Sequence, residues 1–86
     1  MTCRVDRVLI EQGVVLRISG RIAGEDLDVL RTALEEGRVV AIDLTEVELA
    51  DRDAVTVLAR TERNGIALRH CPAYIREWMT REGGRS

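Results

Sequence analysis

The run "RVVAIDL", Arg38 to Leu44, constrains the fold more than any other stretch of this chain. It is a nearly continuous apolar segment of strand length. Such a run suits a strand covered on both faces, as in a parallel sheet. Parallel neighbours need crossover connections, usually helical, and both flanks carry helical spacing. Upstream, "EDLDVLRTALEEG" places Leu27, Leu30, Ala33 and Leu34 at i, i+3, i+6 and i+7, an amphipathic helix stopped by Gly37. Its acidic start, Glu25 and Asp26, complements the helix dipole. Downstream, Ala54, Val55, Leu58, Ala59 and Glu62 mark a second helix, ended by Asn64-Gly65.

The ends of the chain complete the pattern. Val8-Leu9-Ile10 and Val14 to Ser19 are β-rich runs flanking "EQG", which reads as a hairpin. In the second run Val14, Leu16 and Ile18 share one face, while Arg17 and Ser19 point the other way. Gly20 and Gly24 punctuate its exit. Ile66-Ala67-Leu68 is a short strand, and Pro72 fits the first position of a third helix. Tyr74, Ile75, Trp78 and Met79 lie on that helix's apolar side, with Gly83-Gly84 closing it. The order ββαβαβα predicts an α/β fold: an open, mostly parallel sheet with an N-terminal hairpin and about three helices. Residues 1–82 are expected to form one domain, followed by a flexible tail at 83–86.

At 86 residues such a domain is small, and it buries only about 60–65% of the surface its unfolded chain exposes. A net charge of −2 and two aromatic residues, Tyr74 and Trp78, argue against nucleic acid and base stacking. The longest apolar runs are four residues, so no membrane insertion is expected. The start "MTCRVDRVLIEQG" has no signal-like apolar region. The expected location is the cytoplasm, with Cys3 and Cys71 as reduced thiols. All 13 basic residues are arginine. A Walker-type phosphate loop, a Schiff-base enzyme and a receiver site each depend on a lysine, so none operates here in its usual form.

"ELADRDAVTVL", Glu48 to Leu58, sets a polar knot between strand and helix. Asp51 is placed to cap the second helix, worth about 0.5–2 kcal/mol over alanine. Asp53 favours its first turn by about 0.3–1 kcal/mol. "VLRISGRI" (15–22), "VVAIDLTEVELAD" (39–51) and "GIALRHCPAYIREWM" (65–79) occur in order and in register. Together they resemble the STAS domain, named for sulphate transporters and anti-sigma factor antagonists, across roughly residues 5 to 80.

In that family the strand-to-helix corner usually reads Asp-Ser-Ser/Ala-Gly-Leu. A partner kinase, which doubles as an anti-sigma factor, phosphorylates the first serine and is thereby released. Asp51 matches the aspartate and Arg52 stands at the phosphoacceptor serine. Asp53 follows, with Ala54 at the glycine and Val55 at the leucine. A guanidinium cannot accept a phosphoryl group. Where phosphoserine would bring about −1.5 to −2 charges, Arg52 brings a positive one. Family members commonly add a strand and helix beyond "WMTREGGRS". The resemblance therefore implies a short variant, with Ile66 to Leu68 as an open sheet edge, a site for homodimerisation.

Competing readings of single residues are weaker on the chemistry. Asp51 and Asp53 as a catalytic or cation-binding pair explain less than capping does. Thr45 and Thr56 are alternative phosphoacceptors, and Thr56 is expected to face solvent, with Arg60 one turn on. Asp43 has the strand-end position of a receiver aspartate without the lysine. Cys3, His70 and Cys71 give three metal ligands at most, without Cys-x-x-Cys spacing. Trp78 and Tyr74 are partner anchors or core residues, and core packing has the stronger claim on Trp78. Ser19-Gly20-Arg21 is a turn rather than a phosphate loop.

The chain is thus expected to be a non-enzymatic docking module without cofactor or metal, its partner a serine kinase/anti-sigma factor. The binding surface is expected at Asp51, Arg52, Asp53 and Thr56, with Arg21 and Gly24 beside it, and binding constitutive. The alternative is a fixed structural subunit of a transporter-associated or stress-signalling complex.

Overall fold

A computed structural model of the chain describes residues 3–35 and 37–83. Strands β1 (Cys3–Ile10) and β2 (Gly13–Ile22) form an antiparallel hairpin over the two-residue turn Glu11-Gln12. A 3-10 turn (Gly24–Asp26) leads into helix α1 (Leu27–Glu35), followed by β3 (Val39–Ala50), α2 (Arg52–Arg63), β4 (Ala67–Arg69) and α3 (Ala73–Gly83). β2, β3 and β4 run parallel, and the spatial order is β1-β2-β3-β4. The expected open, mostly parallel sheet with an N-terminal hairpin and three helices is what the chain adopts.

Both parallel crossovers step in the same direction along the sheet. Right-handed connections therefore put α1 and α2 on one face. The core confirms that placement: Leu16, Ile18, Ile42 and Leu44 from the strands form one cluster with Leu30, Leu58 and Ile75 from the three helices. All seven are essentially inaccessible to solvent, each contributing about 1.5–3 kcal/mol by burial. Shifts of register between Arg17 and Ser19, and between Gly20 and Arg21, give β3 two extra residues. They let Leu44, Val47 and Ala50 all reach the core, which strict alternation would forbid.

β3 is not covered on both faces, as the run "RVVAIDL" led us to expect. Val15 and Ala41 are buried on the far face, but Arg4, Arg17, Arg69 and Ala67 around them are exposed. The register places Asp6 opposite Arg17, Arg17 opposite Asp43, and Asp43 opposite Arg69. One row of alternating charge thus crosses all four strands on the helix-free side. Alternating signs suit a wetted sheet face, because directly opposed unlike charges are favourable and like charges are not.

Smaller departures have local causes. β4 begins at Ala67 rather than Ile66, which is half-buried with its N–H bonded to the Thr61 carbonyl. Pro72 lies just outside α3, accepting from the N–H groups of Ile75 and Arg76. Asp26 is buried in the 3-10 turn, where its carboxylate accepts from the Ala23 N–H at 3.1 Å. Tyr74 is 41% exposed rather than on the apolar side of α3. Gly83 is the last residue of α3 instead of tail; the expected tail from Gly84 to Ser86 lies outside the described residues.

Candidate functional site

The last register pair of the two longest parallel strands is Ile22 with Ala50. Adjacent parallel strands deliver their outgoing loops side by side, and open α/β sheets favour that end for recognition. The β2–α1 loop and the β3–α2 corner meet here. Asp51 joins them with both carboxylate oxygens. Oδ1 accepts from the Ala54 N–H at 2.9 Å, capping α2, and Oδ2 accepts from the Gly24 N–H at 2.8 Å. The Asp51 backbone adds a bond from its N–H to the Ile22 carbonyl at 3.0 Å. A β-carbon on Gly24 would meet only ordinary contacts, 3.6 Å from an Asp53 carboxylate oxygen and 3.9 Å from Asp51 Oδ2, so the tether uses the backbone N–H and does not depend on glycine.

Around this knot Arg52 and Asp53 are exposed and Thr56 is half-buried. The Thr56 hydroxyl donates to the Arg52 carbonyl at 3.0 Å, so its oxygen is held against the helix backbone. Five of the six expected site residues, Gly24, Asp51, Arg52, Asp53 and Thr56, therefore share one corner. Arg21 does not join them by its side chain. Its neighbour Ile22 points into the core, so alternation turns Arg21 to the helix-free face, opposite Leu49.

This corner is poorly suited to anions. A helix N-terminus ordinarily attracts them, but Asp51 already occupies the Ala54 N–H and Asp53 adds a second negative charge. What the corner offers is a mixed-sign surface, one guanidinium flanked by carboxylates, on a backbone fixed by the Asp51 bonds.

The other residues singled out are dispersed. Asp43 Oδ1 accepts from both the Thr45 hydroxyl and the Thr45 N–H. The Thr45 hydroxyl, above all, holds the Asp43 carboxyl below its ordinary range; burial opposes this, and the Thr45 N–H, His70 and Arg17 add to it. Cys3 lies on β1 and Cys71 follows β4, at opposite edges of the sheet, and both are free. Burial, first, pushes each thiol up; Asp26 adds to this at Cys3, and Arg76 partly offsets it at Cys71. Among the described residues no group of three His, Cys, Asp or Glu side chains could hold a metal ion. No helix among them is long and apolar enough to cross a membrane. Trp78 packs against the core from a half-buried position, and the Tyr74 hydroxyl donates to the Glu48 carbonyl at 3.1 Å.

The cap is legible in the sequence and the tether is not. An aspartate three residues before an acceptor N–H is a local signal, whereas Gly24 and Asp51 lie 27 residues apart. No protein-family model matches the chain, and no curated protein matches it at a significant level.

Proposed function

We propose that this protein is a non-enzymatic protein-interaction module of STAS type. In this reading it docks to a regulatory partner of the serine kinase/anti-sigma kind, and does so without phosphorylation at position 52. The observation that supports it is the Asp51 tether: one carboxylate fixes two loops into a single surface from which Arg52 and Asp53 project. A surface ordered before binding loses less entropy when a partner arrives. Arg52 supplies a permanent positive charge that no kinase removes, so docking is constitutive.

The test is affinity capture of the tagged protein from its own host cells, with mass spectrometry of co-purifying proteins. The expected result is an ATP-binding serine kinase, lost from the Arg52→Glu variant. Incubation with that kinase and ATP should leave the wild type unmodified and phosphorylate Arg52→Ser. Phosphorylation of the wild-type protein would end the constitutive reading. Stoichiometric capture of transporter or scaffold subunits would instead make the chain a fixed component.

A further inference from the structure

β1 is an eight-residue strand at the sheet's end, and its outer side pairs with no strand among the described residues. The hairpin closes on the pair Ile10–Gly13 across a two-residue turn. Such a closing pair is hydrogen-bonded, and the pattern alternates along the ladder. Arg4, Asp6 and Val8 therefore aim their N–H and C=O groups at β2, whereas Cys3, Val5, Arg7 and Leu9 aim theirs at the free edge. Beside that edge α1 leaves an open groove of about 550 Å³, lined by Val5, Arg7, Val29, Thr32 and Ala33 among others. A second recess of about 240 Å³ continues it past Cys3 and Asp26. Val29 is 60% exposed in that groove.

The opposite edge is a poorer template. β4 has three residues, and further along β3 the Glu48 carbonyl is occupied by the Tyr74 hydroxyl. The edge anticipated for dimerisation, at Ile66 to Leu68, is thus the shorter of the two.

We propose that β1 is the interface of a homodimer, pairing antiparallel with the β1 of a second copy about a two-fold axis at Val5. The two four-stranded sheets then become one of eight strands. The charges of β1 select both the occupant and the register. Centring on Val5 sets Arg4 against the other copy's Asp6, twice, on the helix-free face. Those are non-hydrogen-bonded positions, where side chains approach most closely. The outward-facing pairs, Val5 with Val5 and Cys3 with Arg7, carry the backbone bonds. Centring on Arg4, Asp6 or Arg7 opposes like charges, and centring on Val8 sets none of the three opposite an unlike charge of the other copy. That register leaves Arg4 only the exposed pair within its own strand, where its Nε donates to Asp6 Oδ1 at 3.3 Å. The row Arg69–Asp43–Arg17–Asp6 keeps its alternation across the interface only in the Val5 register. An edge guarded against pairing carries charges that repel a copy of itself; Arg4 and Asp6 are self-complementary. The two-fold also covers Val5 and brings the Val29 grooves of both copies to one side of the joined sheet.

Sedimentation equilibrium of the full chain, from micromolar to millimolar concentration, tests this. A reversible dimer is expected. Asp6→Arg and Arg4→Asp should each weaken it about tenfold or more, with unchanged circular dichroism. An equimolar mixture of the two variants should restore a dimer, because the two arginines of one meet the two aspartates of the other. A wild type that stays monomeric throughout overturns the proposal. So does a dimer that both variants retain, or a mixture that stays monomeric, as would result if the groove receives a strand of another protein. The proposal stands apart from the docking reading, since no residue of the Asp51 corner enters it.

Discussion

The Gly24 N–H donates to Asp51 Oδ2 at 2.8 Å, joining two loops 27 residues apart. The other oxygen of the same carboxylate caps α2. One side chain thus sets both the start of a helix and the position of the preceding crossover loop. Because the two bonds use different oxygens, they can be separated by substitution.

Asp51→Ala removes cap and tether together and should cost about 1–3 kcal/mol in urea denaturation. Asp51→Asn keeps an oxygen for Ala54 but turns an amide donor toward the Gly24 N–H. Its cost should be smaller, about 1 kcal/mol, and confined to the loop. Equal losses in the two variants would mean that the cap adds nothing beyond the tether, and an Asp51→Asn protein as stable as wild type would mean that the tether contributes nothing.

Asp43 makes stability depend on acid. Its carboxyl is held below the ordinary range in the folded protein, chiefly by the Thr45 hydroxyl. The stabilisation is therefore complete above the unfolded value, near 3.9, and is lost as the pH falls through the lower folded value. Thr45→Val should be about 0.5–1.5 kcal/mol less stable than wild type at neutral pH. The gap should close as the pH drops below about 4. Denaturant titrations at both pH values would show it, and a gap that widens in acid would contradict this account.

α3 is part of the core rather than an appendage, because Ile75 is fully buried among strand and helix residues. Ile75→Ala should cost about 2–5 kcal/mol, a large share of what so small a domain has. Tyr74→Phe, which removes the hydroxyl that donates to the Glu48 carbonyl, should cost about 1 kcal/mol or less. Thermal unfolding followed by circular dichroism distinguishes the two, and similar melting temperatures would place α3 outside the cooperative unit.

The parts of this molecule legible in the sequence are those written in local spacing. Leu27, Leu30 and Ala33 announce α1 because a helix brings every third or fourth residue to one face, and all three are buried. Val14, Leu16 and Ile18 announce the core face of β2 by alternation. Asp51 announces its cap because the bond to Ala54 closes over three residues. Even the parallel order of the strands follows from helical connections between them.

What only the tertiary structure decided are the relations that span the sheet. Ala41 and Asp43 lie in an apolar run that suits a doubly covered strand. Whether a helix lies over them depends on the direction each crossover takes, which no residue in the run encodes. The charge row through Asp6, Arg17, Asp43 and Arg69, the tether from Gly24 to Asp51 and the longer free edge at β1 all depend on register between distant segments. Register is set by how the whole apolar face fits against three helices at once, and a shift of one residue would exchange the two faces of a strand. Local spacing therefore specifies the elements, while packing alone determines which charges and which edges the finished sheet presents to a partner.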